Sequence, residues 1–339
     1  MTPSDLVIVG GGPAGLAAAI GAKKVGLTYR VFEKGALVNS LLHFPTNMVF
    51  FTTPELLELG GLPFVTPYEK PTRVEALRYY RRVVDSYQIE IEFGEEVVGV
   101  AREKIGSDGV DGFGVETRSA HGTRRVSQTR AVVLTTGCYD HPNLVGVPGE
   151  DLPHVSHYYT EPHAYYRKQV VVVGGKNSAA EAALDLYRAG AHVTLVHRRA
   201  QLGDSIKYWV RPDIENRIRE GTVAARFGTS VVEIGPTEVV IEHNGARDTL
   251  PADAVFLLTG YRADKDLLTL AGVQVDPATS APDHDRETLE TNVSGVFVAG
   301  AIVTGVHSGQ IFIENGRFHG EIVVEQIRRR LEEHKRIVD

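Results

Sequence analysis

One supersecondary plan occurs twice in this chain, and it constrains the fold more than any other feature. The first copy, LVIVGGGPAGLAAAIGAKKVG, predicts a short buried strand, a glycine turn and a helix, and residues 29–33 (YRVFE) predict the next strand. The second copy, QVVVVGGKNSAAEAALDLYRAGAHVTLVHRR, repeats this order about one domain later. Two such units predict an α/β protein with two Rossmann-like domains, each doubly wound and three-layered.

The sequence between and after the two copies indicates how these domains are connected. Each copy is followed by strand-like sequence that ends in a Thr-Gly turn, at Thr136-Gly137 and at Thr259-Gly260. The last strand, GVFVAG, precedes a helix expected to begin near Gln310 and then a charged terminal helix. We therefore expect the second domain to be inserted into the first. Residues 1–143 and 261–339 would form the outer domain, and residues 144–260 the inserted one.

The first glycine turn is typical of a site for FAD. Gly10, Gly12 and Gly15 supply the Gly-x-Gly-x-x-Gly pattern directly after a strand. The first glycine permits a tight turn, the second lets a pyrophosphate approach the backbone, and the third lets the helix pack on the strand. The helix N-terminus then favours the phosphates. Glu33 ends the second strand, where a carboxylate accepts hydrogen bonds from an adenosine ribose.

The second glycine turn differs in a way that favours NADPH. It keeps the first glycine, has lysine in the middle position and ends with the tolerated alanine. Where the first copy has Glu33, this copy has His197-Arg198-Arg199. A 2′-phosphate is repelled by a carboxylate and pairs well with guanidinium groups. A solvated basic turn is the alternative for the arginines, and helix capping is the alternative for Ser178. The residues expected to bind NADPH are Gly174, Gly175, Lys176, Asn177, Ser178, Ala179, His197, Arg198, Arg199 and Gly260.

The composition limits the kinds of partner and ligand that the protein is expected to bind. The 36 basic and 43 acidic residues give a formal charge of −7, which argues against nucleic acid or an anionic membrane surface as a partner. The single cysteine, Cys138, excludes an intrachain disulfide, and the 13 histidines form no spaced cluster, so no metal site is expected. The first strand begins near Asp5, which leaves no room for a signal peptide, and no apolar stretch approaches the ~20 residues of a membrane span. A cytoplasmic location is expected.

Longer stretches resemble a known group of flavoproteins. GGGPAGLAAA, the two Thr-Gly turns, GYRAD at 260–264 and TNVSGVFVAG at 291–300 are similar to the two-dinucleotide-domain flavoproteins that include thioredoxin reductase. Within that group the chain resembles the bacillithiol-disulfide reductase family. This likeness is carried by SLLHFPTNMVFFTTPELLELGGLPF, KPTRVEALRYYRRVVDSY, YDHPNLVGVPGEDLPHV, VVGGKNSAAEAALDLYRAGAHVTLVHRR and IFIENGRFHGE.

The resemblance implies an NADPH-dependent FAD reductase acting on a low-molecular-weight disulfide, bacillithiol disulfide, as a homodimer or homotetramer.

This sequence departs from the patterns of its relatives in three places. The Cys-x-x-Cys of thioredoxin reductases would fall at about Tyr158 and Glu161, so no protein dithiol is present. A cysteine common in the first glycine turn of the resembled family is Ala14 here. The Gly-Asp pair of many relatives is Gly300-Ala301, so FAD is expected to be held there through backbone groups.

The same likeness extends the set of candidate site residues. Gln310 and Ile311 are expected to begin a helix beside the flavin, and the loop containing His43 to approach its ring. The full set expected to bind FAD is Gly10, Gly12, Pro13, Ala14, Gly15, Glu33, Lys34, His43, Thr136, Gly137, Gly300, Ala301, Gln310 and Ile311. No catalytic residue is evident; Cys138, His43 and Glu314 are candidates, and for each of them ordinary packing is the alternative.

Two other functions stay open at this point. A ferredoxin- or flavodoxin-NADP reductase would also lack the dithiol. Those relatives usually add a C-terminal aromatic residue that stacks on the flavin, whereas this chain has no aromatic residue after Phe318. A non-catalytic flavoprotein that senses redox state is the second alternative. The acceptor could therefore be a small disulfide or another electron acceptor that reaches the flavin.

Overall fold

The computed structural model of the protein describes residues 2–107, 109–307 and 309–338, with side chains described as far as residue 333. The chain divides into two compact units. Unit 1 comprises Met1–Leu42, Thr52–His141 and Tyr261–Asp339, and unit 2 comprises His43–Phe51 and Pro142–Gly260. The short segment His43–Phe51 therefore belongs to unit 2 although it lies between two parts of unit 1 in the sequence.

Segments of alternating strands and helices are separated by runs of consecutive strands. The strands are β1 (Ser4–Val9), β2 (Tyr29–Glu33), β3 (Glu92–Phe93), β4 (Glu95–Ile105), β5 (Val110–Ser119), β6 (Arg124–Leu134), β7 (Val155–Ser156), β8 (Gln169–Val173), β9 (His192–His197), β10 (Ala224–Phe227), β11 (Ser230–Ile234), β12 (Glu238–His243), β13 (Ala246–Pro251), β14 (Ala254–Leu257) and β15 (Val296–Val298). The α-helices are α1 (Pro13–Lys24), α2 (Asn39–Leu42), α3 (Arg73–Tyr87), α4 (Asn177–Arg188), α5 (Arg211–Arg219), α6 (Lys265–Leu270), α7 (Ile313–Gly316) and α8 (His319–Val338). Short 3-10 segments are Pro54–Leu57, His163–Tyr165 and Gly300–Thr304.

Unit 1 is built on a sheet in the order β3-β2-β1-β6-β5-β4, with β15 also beside β6. β6 changes partners along its length. Its first half pairs antiparallel with β5, and its second half lies parallel to β1 and β15. The antiparallel strands and α6 thereby fold back over one face of the parallel part, where Val7, Val132 and Val298 join their core.

The helices α1 and α8 of unit 1 pack closely against each other. α1 begins with Pro13, which suits the first helical position because its missing N–H would have no helical partner there. Nearly every residue from Gly15 to Ala22 is buried, so this alanine-rich helix is apolar on all sides. A Cβ at Gly320 of α8 would lie 2.4 Å from the backbone nitrogen of Ala18, so only glycine permits this approach.

Unit 2 is built on a wholly parallel sheet in the order β10-β9-β8-β14-β7. α4 and α5 cover one face, with Leu186 and Ile214 fully buried against it. The antiparallel sheet β11-β12-β13 contributes Val239 and Ile241 to a second core on the other face. In the part of the chain that the structure describes, no helix is both long and apolar enough to cross a membrane.

The structure confirms the predicted fold class of two Rossmann-like α/β units. The prediction of a helix beginning near Gln310 is wrong, because α7 begins at Ile313. Asn315 explains the later start: its Oδ1 accepts from the Phe312 N–H at 2.8 Å, and its Nδ2 donates to the Gln310 carbonyl at 2.9 Å. These bonds hold Phe312 in an extended conformation directly before the helix.

Candidate functional site

The first glycine turn of unit 1 brings three backbone segments into contact. Gly10 adopts a φ of +113°, a conformation that favours glycine. The Thr135 hydroxyl, at the end of β6, donates to the carbonyls of Val9 and Gly10 at 2.8 and 3.0 Å. A Cβ at Gly15 would lie 2.0 Å from the Gly10 carbonyl oxygen. β1, β6 and α1 therefore meet at one point, and Thr135 is a structural residue that the Thr-Gly pattern had not singled out.

Glu33 fixes the same turn from the side of β2. Its side chain is buried, and its two oxygens accept from the backbone N–H groups of Gly11 and Gly35, each at 2.7 Å. A carboxylate has about four lone-pair positions, so these bonds leave acceptor capacity for a ribose hydroxyl. Glu33, which is predicted to bind the adenosine ribose, thus also stabilises the turn beside which that ribose would lie.

The rest of this turn fits a dinucleotide. A Cβ at Gly12 would meet no atom within 4 Å, so the backbone there is open to a close-approaching group. The N-terminus of α1 has neither a side-chain cap nor an acidic residue in its first turn, which leaves its positive end free for phosphate. Thr136 Oγ1 is buried, and no residue that the structure describes gives it a hydrogen bond. A buried hydroxyl without a partner suits a polar group of a ligand.

Gly300-Ala301 lies beside this turn and is held by a histidine. The Gly300 N–H donates to His319 Nδ1 at 3.1 Å. Burial, together with the charge of His284, lowers the pKa of His319, so the ring stays neutral and keeps an acceptor nitrogen. A Cβ at Gly300 would lie 2.7 Å from Cβ of Ala14. Ala14, which stands where the resembled family often has cysteine, therefore packs directly against Gly300.

The second glycine turn repeats this geometry in unit 2 with different side chains. Gly174 has a φ of +153°, and a Cβ there would lie 2.7 Å from the Leu258 carbonyl oxygen at the end of β14. The imidazole of His197 covers Gly175 so closely that a Cβ at Gly175 would lie 2.3 Å from it. Burial and the charges of Arg199 and Arg198 lower the pKa of His197. A neutral ring thus lies where unit 1 has the carboxylate of Glu33.

The two arginines after His197 are exposed. Among the residues that the structure describes, no carboxylate pairs with Arg198 or Arg199. Their guanidinium groups are therefore available to an anionic ligand at the end of β9, next to the glycine turn.

The first residues of α4 have more varied roles than the motif predicts. Lys176 is exposed and precedes the helix without making a side-chain cap. Asn177 uses its side chain structurally, because Nδ2 donates to the Ser205 carbonyl at 2.9 Å and Oδ1 accepts from the Lys207 N–H at 2.8 Å. Ser178 lies inside the helix and is exposed, so the alternative that it caps the helix is wrong.

The segment where the resemblance places the dithiol of thioredoxin reductases is part of the packing of unit 2. Tyr159 is buried, donates from its hydroxyl to Asp185 Oδ2 at 2.6 Å and packs edge-on against Phe256. The Thr160 carbonyl accepts from the Thr46 N–H at 2.8 Å. Tyr158 is partly buried and Glu161 is exposed.

The three catalytic candidates lie in different surroundings. Cys138 is partly buried in unit 1; burial and the neighbouring carboxylate of Asp140 raise the pKa of its thiol to about 11. Glu314 lies on α7, where burial raises its pKa although Arg317 opposes this, and Oε1 has no hydrogen-bond partner among the described residues. His43 lies in the segment that belongs to unit 2. Lys34, expected at the FAD site, forms an ion pair with Asp140 at 2.7 Å.

Two Rossmann-like units, each with a glycine turn at the carboxyl ends of parallel strands, are typical of oxidoreductases that bind a flavin and a nicotinamide dinucleotide. The sequence profile of the family described as pyridine nucleotide-disulphide oxidoreductase matches residues 7–300. A Bacillus subtilis protein named bacilliredoxin reductase Bdr is 43% identical over 332 residues, covering 97% of this chain and 99% of its own.

Two solved structures are also similar. Bacillithiol disulfide reductase Bdr (YpdA) from Bacillus cereus aligns with a TM-score of 0.92 and 41% identity, covering 97% of this chain and all of that one. The enzyme of the same name from Staphylococcus aureus gives 0.90 and 37%, covering 97% and 99%. The chain therefore belongs to the pyridine nucleotide-disulphide oxidoreductase family, and within it to the bacillithiol disulfide reductase family that its motifs predicted.

Cys138 should behave as an unreactive thiol. With a pKa of about 11, its thiolate fraction near pH 8 is at least about 100-fold below that of an ordinary cysteine of pKa ~8.5. Alkylation by iodoacetamide, followed by mass spectrometry, should be correspondingly slower in the folded protein than in guanidinium and should accelerate as the pH rises toward 11. Cys138→Ser should keep full turnover. Rapid labelling of the folded protein at neutral pH would contradict this reading.

Proposed function

We propose that this protein is an NADPH-dependent FAD flavoprotein that reduces bacillithiol disulfide. The names of its relatives from B. cereus and S. aureus support this substrate. The balanced reaction converts one disulfide, one NADPH and one proton into two thiols and NADP⁺. The S–S bond breaks, the nicotinamide is oxidised, and each sulfur gains one electron and one proton.

The observation that carries this proposal is the absence of a usable protein thiol. Cys138 is the single cysteine in the sequence, and its pKa of about 11 keeps it protonated. Tyr159 and Thr160, between the two positions where the dithiol of thioredoxin reductases would fall, are bound into the structure of unit 2. A dithiol relay needs two cysteines and this sequence has one, which favours an acceptor small enough to react at the flavin itself.

The residues of unit 1 would hold FAD. The free N–H groups at the start of α1 would bind the pyrophosphate beside Gly12, and Glu33 would accept from the ribose. Thr136 Oγ1 offers a buried hydroxyl, and His319 keeps the Gly300 N–H and its turn in place. When bound, the flavin supplies hydride acceptance from the nicotinamide and electron transfer to the acceptor.

The residues of unit 2 would select NADPH over NADH. Arg198 and Arg199 stand exposed at the end of β9, where the ribose 2′ position of a dinucleotide on the glycine turn would lie. His197 replaces the carboxylate that would repel a phosphate there, and its lowered pKa keeps the ring neutral.

Glu314 is our candidate for the group that supplies a proton. It is partly buried on α7, the helix that packs against Gly300 through Gly316. Burial raises the pKa of Glu314, which favours its protonated form, and Oε1 has no hydrogen-bond partner among the described residues. A thiolate that leaves a disulfide needs such a donor.

A second candidate acceptor is a bacilliredoxin, because the B. subtilis relative is named bacilliredoxin reductase. The ferredoxin- or flavodoxin-NADP reductase alternative has weaker support, since the relatives that match nearly the whole chain at 37–43% identity are named for bacilliredoxin or bacillithiol disulfide. A non-catalytic sensor would be reduced by NADPH without turnover.

Anaerobic NADPH oxidation by the purified holoprotein tests the proposed reaction. Bacillithiol disulfide should raise the rate well above that without acceptor, and two thiols should form per NADPH consumed. Oxidised bacilliredoxin and ferredoxin serve as competing acceptors in parallel assays. Equal rates with and without bacillithiol disulfide would sink the proposal, and turnover with bacilliredoxin alone would replace it by the second candidate.

Replacing Arg198 and Arg199 together by alanine should raise the KM for NADPH by about 10- to 100-fold, because charge-assisted hydrogen bonds contribute about 1.5–3 kcal/mol. The KM for NADH should stay unchanged, since NADH lacks the 2′-phosphate. Arg247→Ala, which removes an exposed arginine of β13, is the matched control. An equal rise in the KM for both coenzymes would show that the arginines do not recognise the 2′-phosphate.

Glu314→Gln should lower kcat with bacillithiol disulfide by about 100-fold, the lower range for loss of a general acid. Because the pKa of Glu314 is raised, wild-type kcat should fall as the pH rises through that pKa, and the variant should lose this dependence. Flavin absorbance checks that the variant is folded and loaded. Glu321→Gln, at an exposed position of α8, is the control. An unchanged pH profile in Glu314→Gln would remove Glu314 from the reaction.

A further inference from the structure

Lys207 is a buried cation in unit 2 with two strong partners. The residue is only 9% exposed. Its Nζ donates to Glu181 Oε1 at 2.6 Å and to the Val49 carbonyl at 3.0 Å, and it lies 5.7 Å from the ring centre of Trp209. An ammonium group is costly to bury unless it is paired and hydrogen-bonded, so these partners fix the position of Lys207.

The backbone around Lys207 is tied to the second glycine turn. The Gly203 N–H donates to the Gly175 carbonyl at 2.7 Å. Asn177, the first residue of α4, bonds both the Ser205 carbonyl and the Lys207 N–H through its side chain. Glu181 lies four residues further along α4, on the same face as Asn177. The glycine turn and the first turns of α4 thus hold Lys207 through both its backbone and its side chain.

The other partner of Lys207 is the segment His43–Phe51, here called the 43–51 loop. Its ends continue into unit 1, where the Leu41 and Leu42 carbonyls accept from Arg73 at 3.0 and 2.5 Å. The loop itself belongs to unit 2. The Thr46 N–H donates to the Thr160 carbonyl, and the Val49 carbonyl accepts from Lys207. Lys207 therefore joins the loop to the start of α4 through one side chain.

We propose that Lys207 is a positioning residue that couples the second glycine turn to the 43–51 loop. A nucleotide that orders residues 174–179 also orders residues 203–207. Lys207 transmits this ordering to the loop through its hydrogen bond to the Val49 carbonyl. Coupling of this kind is reciprocal, so release of the loop weakens nucleotide binding. The inference rests on the proposed nicotinamide role of this turn, but not on the identity of the electron acceptor.

Hydrogen exchange followed by mass spectrometry tests this coupling on the holoprotein without turnover. In the wild type, saturating NADP⁺ should slow amide exchange both at residues 174–179 and in the 43–51 loop. In Lys207→Met, which keeps an unbranched side chain of similar size but removes the charge and the hydrogen-bond donors, loop exchange should rise at least about tenfold, as expected for a lost hydrogen bond. Added NADP⁺ should still protect residues 174–179 of the variant but no longer the loop.

Three comparisons separate this role from a general structural one. Lys207→Arg keeps the charge and donors and should restore the nucleotide-dependent loop protection. Lys168→Met, at an exposed lysine of unit 2, should behave like the wild type. The wild-type experiment stands even where Lys207→Met fails to fold: a loop that does not respond to NADP⁺ while residues 174–179 do overturns the proposal. Loop protection that persists in folded Lys207→Met overturns it equally.

A failure of the proposed substrate would leave these results unchanged, because bacillithiol disulfide is absent from the experiment. Should NADP⁺ protect neither segment, NAD⁺ is tested in its place. If neither nucleotide protects residues 174–179, the nicotinamide assignment and the coupling built on it both fail. In that case, comparing loop hydrogen exchange in the wild type and in Lys207→Met without nucleotide still decides whether Lys207 anchors the loop.

Discussion

The close approach of backbone at the two glycine turns is the constraint on which the rest of the structure depends. A Cβ at Gly15 would lie 2.0 Å from the Gly10 carbonyl, and one at Gly174 would lie 2.7 Å from the Leu258 carbonyl. No side chain fits in either place. The first strand, the helix after it and a neighbouring parallel strand can therefore converge at one point in each unit. This convergence leaves the helix N-terminus open at the carboxyl edge of the sheet, where dinucleotide phosphates bind in such folds.

The two turns have the same backbone but opposite local electrostatics. In unit 1 the buried carboxylate of Glu33 is satisfied by two backbone N–H groups, so the negative charge is part of the turn itself. In unit 2 the neutral ring of His197 covers Gly175, and two exposed arginines follow it that no carboxylate of the described residues pairs with. The same fold thus ends its second strand with a negative group in unit 1 and with positive groups in unit 2. The difference in dinucleotide preference that we propose needs no difference in architecture.

The sequence predicted those features of the fold that a local pattern of residues determines. The glycine turns, the parallel strands beside them and the two-unit fold follow from short stretches such as GGGPAG and VVVVGGKNSA, whose spacing carries the conformation. The ion pair of Lys207 with Glu181 could not be predicted, because it joins residues 26 positions apart whose meeting depends on how the 203–209 segment folds back onto α4. The 43–51 loop is similar. It belongs to unit 2, where the Thr46 N–H is bonded to the Thr160 carbonyl and the Val49 carbonyl to the Lys207 side chain, and such bonds leave no pattern in the sequence.

The start of α7 shows the same limit on a smaller scale. Gln310 and Ile311 were placed at the helix start by likeness, but the side chain of Asn315 binds back to Phe312 and Gln310 and sets the start at Ile313. Glu33 was correctly placed at the end of β2, although its bonds to Gly11 and Gly35 were not foreseen. In both cases the residue type was visible in the sequence, and the partner was set by three-dimensional packing.

Residues 155–163, where the resemblance to thioredoxin reductases places their dithiol, are bonded tightly into unit 2. A redox-active cysteine pair must leave its partners during each cycle, so its surroundings have to allow movement. Here the Tyr159 hydroxyl is bound to Asp185 beside a ring contact with Phe256, and the Thr160 carbonyl holds the 43–51 loop through Thr46. A segment with these duties gains stability by staying in place. The loop that it holds also accepts a hydrogen bond from Lys207, whose side chain is bonded to Glu181 of α4, so residues 155–163 and the first turns of α4 are held to the same loop.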